Sequence, residues 1–147
     1  MLTVSGITET ALYVDDMQRS VNFYTQVFGF STLLASERLT ALRVAPGQVL
    51  LIMRRGLSSE ASVLPFGVIP PSDAAGQQHV AFGFQPEDLD RWRERLRLHE
   101  VVIESAIGWP EGGQSLYIRD PDQHSVELKS SDWNGEALPF GGSSHPG

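Results

Sequence analysis

Hydrophobic and polar positions alternate early in the chain and then give way to a helical period. In "GITETALYVDD", residues 6–16, Thr10, Leu12 and Val14 fall on one face of an extended segment, and Glu9, Ala11 and Tyr13 on the other. Through "DDMQRSVNFYTQVFGF" the apolar residues Val21, Tyr24, Val27 and Phe28 recur at helical spacing. Asp15 reads as the N-cap, Asp16 as a first-turn acid suited to the helix dipole, and Gly29 as the stop. Strand-like "FSTLLAS", "LTALRVA" and "QVLLIMR" follow, with Pro46-Gly47 as the turn between the last two. The order is β-α-β-β-β.

From Gly56 to Gln78 the chain is rich in Ser, Pro and Gly and carries no clear period, so it reads as a long connection. The first pattern then returns. "QHVAFGF" alternates, with Val80, Phe82 and Phe84 opposite His79, Ala81 and Gly83. "PEDLDRWRERLRLHE" is a helix with Leu89, Trp92 and Leu96 at core spacing, and "VVIESAI", "QSLYIRD" and "HSVELKS" are strands, the last pair joined by "DPDQ". An internal repeat of about half the chain length therefore organises a single α+β domain over residues 1–129. Its parts are module one at 6–55, a linker at 56–77 and module two at 78–129, followed by a C-terminal tail at 130–147. The tail has no period; it offers Trp133 and Phe140 for packing, and its last seven residues read as disordered. Under the repeat Glu9 corresponds to His79, and Glu127 to Leu51 or Ile52, depending on the turn.

Composition narrows the function classes. With 18 acidic residues against 11 Lys and Arg, the net charge of -7 argues against nucleic acid or an anionic membrane as the partner. The arginines of "RWRERLR" are spaced two apart, which spreads them around a solvated helix. The absence of cysteine excludes disulfides, thiolate metal sites and thiol nucleophiles. The start has no signal-peptide pattern, and no apolar run approaches the ~18 residues of a membrane span, so the expectation is a cytoplasmic protein.

Strand parity groups the polar residues. If Leu12, Val14, Val80, Phe82, Val126 and Leu128 face the helices, then Glu9, Tyr13, Arg43, His79, Tyr117 and Glu127 share the opposite face. Two carboxylates and an imidazole converging in a partly buried cup repel and lose hydration, and a divalent cation offsets both costs. Such a donor set suits Mn²⁺, Fe²⁺ or Mg²⁺, with Zn²⁺ also compatible. The metal-free alternative pairs a His79 imidazolium with the carboxylates, or Glu9 with Arg43. His99 at a helix end, His124 after the last turn and His145 in the tail read as structural or solvated. Trp109, in the Gly-rich "GWPEGGQS" stretch, is a candidate pocket wall with Tyr13, Arg43 and Tyr117.

In "TALYVDDMQRSVNFYTQVFGF", "QHVAFGF" and "GGQSLYIRDPDQHSVEL" the chain resembles the vicinal oxygen chelate superfamily, which includes glyoxalase I, fosfomycin-resistance and bleomycin-binding proteins and extradiol dioxygenases. The resemblance covers residues 7–129. It implies paired βαβββ modules curled around a cup, a divalent metal (Mn, Fe, Zn or Mg), a small oxygenated substrate and a homodimer. It implies metal ligands at Glu9, His79 and Glu127, with Glu9 either a third ligand or the general base. Glu9 stands where the family most often has histidine, and Leu51 or Ile52 is apolar where glyoxalase I has a fourth ligand. Lyase or isomerase chemistry and dioxygenase chemistry both follow from it. The alternative is a metal-free binding protein of the bleomycin-resistance type.

Overall fold

The structure is a computed structural model, and it describes residues 1–110 and 112–132. Trp133, Phe140 and His145, and with them the expected packing and disorder of the tail, lie outside the described residues.

Two compact units form: Met1–Gln78 with Asp120–His124, and His79–Arg119 with the described residues from Ser125 onward. The first holds β1 (Glu9–Val14), α1 (Met17–Val27), β2 (Ser31–Ala35), β3 (Leu39–Ala45) and β4 (Gln48–Arg54), in the sheet order β1-β4-β3-β2. Only β1 and β4 run parallel. The alternation of β1 is realised at Leu12 and Val14, whereas Thr10, expected on the same face, is exposed. Leu12 and Val14 are buried with Leu42, Leu50 and Ile52 under Tyr24 and Val27 of α1. Each such fully buried aliphatic side chain contributes about 1.5–3 kcal/mol.

Helix α1 begins one residue later than its sequence indicates. Asp16, with extended backbone, is the N-cap, and its carboxylate accepts the Arg19 N–H at 3.0 Å. Asp15 is displaced from that role because it still belongs to the β1 exit: its N–H donates to Asp122 Oδ1 at 2.9 Å. At the other end Gly29 has φ +74° and donates to Thr25 O at 3.1 Å, a left-handed C-terminal stop.

The connection carries structure that its composition hides. It folds a short hairpin, β5 (Ser62–Leu64) and β6 (Gly67–Ile69), pairing Val63 with Val68. Val63, Phe66 and Val68 are exposed.

The second unit repeats the plan with β7 (His79–Phe84), a 3₁₀ turn at Pro86–Asp88, α2 (Leu89–Leu98), β8 (Ser105–Gly108), β9 (Gln114–Arg119) and β10 (Ser125–Ser130), in the order β7-β10-β9-β8. Strand β8 begins at Ser105 rather than Val101, because Val101 N–H is used to close the helix end on Leu96 O. The arginines of α2 stay on the surface, where Arg97 makes two bonds to Glu94 and Arg91 one to Asp88. The architecture is α+β, two four-stranded mixed sheets each with one long helix. Among the described residues no helix is long and apolar enough to cross a membrane.

The Asp120–His124 turn packs within the first unit although it lies late in the sequence. Tyr24 Oη donates to Asp120 Oδ2 at 2.7 Å, and Ser20 Oγ to Asp122 Oδ2 at 2.9 Å. His124 is fully buried, and both ring nitrogens are used: Nδ1 accepts the Gln78 N–H at 2.9 Å, so Nε2–H donates to Tyr13 O at 2.8 Å. His124 is therefore structural. Burial, together with the Asp120 charge and hydrogen bond, raises Tyr24 well above the ordinary tyrosine value.

Candidate functional site

Registers within each sheet sort the polar face into rows, because residues directly across a ladder point to the same side. In the first unit the rows are Glu9–Val49–Arg43, Ala11–Leu51–Ala41 and Tyr13–Met53–Leu39. In the second they are His79–Ser125–Arg119, Ala81–Glu127–Tyr117 and Gly83–Lys129–Ser115. The rows match one to one. Glu9 answers to His79, and the counterpart of Glu127 is Leu51, not Ile52. The positions equivalent to Glu127, Tyr117, Lys129 and Ser115 are Leu51, Ala41, Met53 and Leu39, so the second unit carries the denser polar chemistry.

There, His79 and Glu127 meet, with Nε2 3.3 Å from Oε1. His79 Nδ1 lies 2.9 Å from the Ser125 carbonyl oxygen, which can only accept. Nδ1 therefore carries a proton, and in the neutral tautomer that this selects the Nε2 lone pair points at the carboxylate. Two acceptors facing at this distance need a proton or a cation between them. A separation of 3.3 Å is that of neighbouring ligands on one divalent ion, about 3.0–3.4 Å for bonds near 2.1 Å. The second-sphere carbonyl on Nδ1 is the partner a ligating imidazole usually has. Among the described residues no group of three or more His, Cys, Asp or Glu side chains converges on a metal position, so His79 and Glu127 offer a divalent metal two donors and leave its other positions open.

Glu127 is only 4% exposed. Its Oε2 accepts from Ser115 Oγ at 2.5 Å and lies 3.9 Å from Lys129 Nζ. Ser115 Oγ accepts from Trp109 Nε1 at 2.8 Å, and Lys129 Nζ sits 4.9 Å over the Trp109 ring. Tyr117, across the ladder from Glu127, stacks on His79 with ring centroids 6.4 Å apart. Burial first, then the Glu127 charge and a hydrogen bond to it, raise the Tyr117 phenol above its ordinary value, keeping it a neutral donor. Ser115 was missed by the sequence reading. Its signal was the two-residue step to Tyr117, which places both on one face.

The first unit contributes less convergence. Glu9 is exposed on the free edge strand β1, and Arg43 is exposed in the same row, beyond Val49. Tyr13 is buried, its hydroxyl donating to Ser72 Oγ at 2.7 Å. A pocket of about 300 Å³ opens at the end of the second sheet, between Phe84 and Leu89 on one side and Trp109, Gln114 and Ser130 on the other. Phe84 and Ser130 lie on the helix side by parity, so this cavity excludes His79 and Glu127 and shares only Trp109 with their network.

Known proteins resemble the chain over most of its length. Fosfomycin resistance protein FosX of Listeria monocytogenes is 28% identical over 132 residues, covering 85% of this chain and 89% of that protein. Catechol-2,3-dioxygenase of Bacillus subtilis is 28% identical over 117 residues, 80% of this chain and 38% of that enzyme. The crystal structure of lactoylglutathione lyase from Agrobacterium tumefaciens superposes with a TM-score of 0.81 at 35% identity, covering 90% of this chain and 98% of that one. The profile of the Glyoxalase/Bleomycin resistance protein/Dioxygenase superfamily matches residues 6–128, and the chain belongs to that superfamily.

Proposed function

We propose that this chain is a divalent-metal-dependent enzyme acting on a small oxygenated substrate. The observation that carries this reading is the His79–Glu127 pair: a ring fixed by the Ser125 carbonyl, with Nε2 turned on a buried carboxylate oxygen 3.3 Å away. His79 and Glu127 are its ligands. Glu9, the repeat counterpart of His79, is the third ligand or, left free, the general base; a carboxylate bound to metal is the poorer base. The bound ion (Mn²⁺, Fe²⁺, Zn²⁺ or Mg²⁺) would supply Lewis acidity toward neighbouring substrate oxygens. Tyr117, whose phenol hydrogen-bonds Glu127 and whose ring stacks on His79, lines the substrate side of the pair, and Arg43, Tyr13 and Trp109 complete the substrate contacts. Exposed Leu33 and Leu34 on β2 and Phe66 on the hairpin support a homodimer, read out by light scattering. Its similarity to lactoylglutathione lyase and catechol-2,3-dioxygenase supports screening thiol adducts of α-ketoaldehydes and catechols, with epoxides as a third class.

The test is metal content and Mn²⁺ titration by EPR of wild type, His79→Ala and Glu127→Ala. Near-stoichiometric binding lost in both variants is expected. Trace metal that neither variant changes, even after incubation with Mn²⁺, Fe²⁺ or Zn²⁺, would overturn the reading. The same 3.3 Å contact favours one alternative, a metal-free binding protein of the bleomycin-resistance type in which a protonated His79 pairs with Glu127. That protein would take up an organic cation in the absence of metal.

A further inference from the structure

We infer that Trp109 and Ser115 are positioning residues that act in series to commit one oxygen of Glu127 to the protein and leave the other for a metal. This rests on the reading of His79 and Glu127 as ligands.

The direction of the hydrogen bonds is fixed by the chemistry of the donors. An indole N–H can only donate, so Ser115 Oγ is the acceptor in its 2.8 Å bond with Trp109 Nε1. The hydroxyl of Ser115 donates to Glu127 Oε2, at 2.5 Å, and the Tyr117 phenol hydrogen-bonds the same two residues. Ser115 is fully buried and Glu127 nearly so, which keeps water out of the competition. Lys129 Nζ stands 3.9 Å from the same Oε2 and 4.9 Å over the indole, so it favours that oxygen and that ring position together. Oε1 is turned instead to His79 Nε2. Glu127 thus ligates through Oε1 alone.

Trp109 is itself held by a tight turn. Its N–H donates to Gly113 O and its carbonyl accepts from Gly112, both at 3.0 Å, with Gly112 at φ +105° and Gly113 at φ +88°. The Gly-rich stretch serves to aim the indole. The repeat gives an independent indication. Where the first unit has Leu51 in place of Glu127, it also has Leu39 in place of Ser115 and Met53 in place of Lys129. Relay and carboxylate occur together or not at all.

The experiment is Mn²⁺ affinity by EPR at one pH for wild type, Ser115→Ala, Ser115→Thr, Trp109→Phe and the Ser115→Ala/Trp109→Phe double variant, with thermal melts to establish folding. Loss of an outer-sphere partner weakens metal binding about 10–100-fold. Ser115→Ala and Trp109→Phe should each weaken binding about 10-fold, the double variant no more than Ser115→Ala, and Ser115→Thr should restore wild-type affinity. Wild-type affinity in both single variants would overturn the relay, as would fully additive losses or failure of threonine to rescue a folded protein. Should wild type bind none of Mn²⁺, Fe²⁺ and Zn²⁺, the ligand assignment itself falls, and the relay with it. Binding by wild type that all variants share overturns the relay alone.

Discussion

Removing the Tyr24 hydroxyl isolates a single buried bond with a defined cost. Tyr24 is fully buried, and its Oη donates to Asp120 Oδ2 at 2.7 Å, while Asp120 Oδ1 keeps the N–H groups of Asp122 and His124. Tyr24→Phe leaves the ring stacked on Phe28 and Phe30 and takes away only the donor. A hydrogen bond to a charged acceptor nets about 1.5–3 kcal/mol, so a loss of about 2 kcal/mol is expected. At about 2–4 °C per kcal/mol for a chain of this size, the melting temperature falls by about 6 °C. The pH dependence gives a second, sharper check. The folded-state pKa of Tyr24 is raised, so its contribution is fully present below the unfolded value near 10 and is lost as pH rises through the folded value. Wild type should therefore lose up to about 1.4 kcal/mol per pH unit above about pH 10 from this group, a component that the variant lacks. Urea unfolding of both proteins from about pH 8 to about pH 11 should show a gap that narrows at the alkaline end. A gap that stays constant, or a loss below about 0.5 kcal/mol at neutral pH, would refute the assignment.

Further substitutions test the other supports. His124→Leu strands the Gln78 N–H and the Tyr13 carbonyl and should cost about 3 kcal/mol in urea unfolding, though it touches no proposed ligand. Asp16→Ala removes the α1 N-cap and should cost about 1 kcal/mol, whereas Asp15→Ala leaves that cap in place. Gly29→Ala forces a side chain into φ +74° and should destabilise by about 1–2 kcal/mol, measurable as a lower melting temperature.

The repeat and the sorting of faces were legible in the sequence because a two-residue period survives in strands buried on one side. Val126 and Leu128 against Glu127 is such a pattern, and the ladder sets Glu127 across from Tyr117. What escaped was set by contacts distant in sequence. Asp15 reads as the cap from sequence, with Asp16 in the first turn, but its N–H is claimed by Asp122 and Asp16 caps instead. The β5–β6 hairpin has strands of three residues, too short to show a period, with Pro65 and Gly67 at the turn disguising it as loop. Ser115 is an ordinary strand serine by composition, and only the indole above it gives its proton a direction. Leu51 could be separated from Ile52 only by register, which a turn of uncertain length leaves one residue adrift.

The Asp120–His124 turn has a consequence for how such a repeat can be divided. A fragment ending at Gln78 would retain β1, α1 and the rest of the first sheet. It would lose the carboxylates that receive Tyr24 and Ser20 and the imidazole that joins Gln78 to Tyr13. Each half of the gene would encode an incomplete body. Split between Gln78 and His79, the two pieces should regain structure on mixing and not apart.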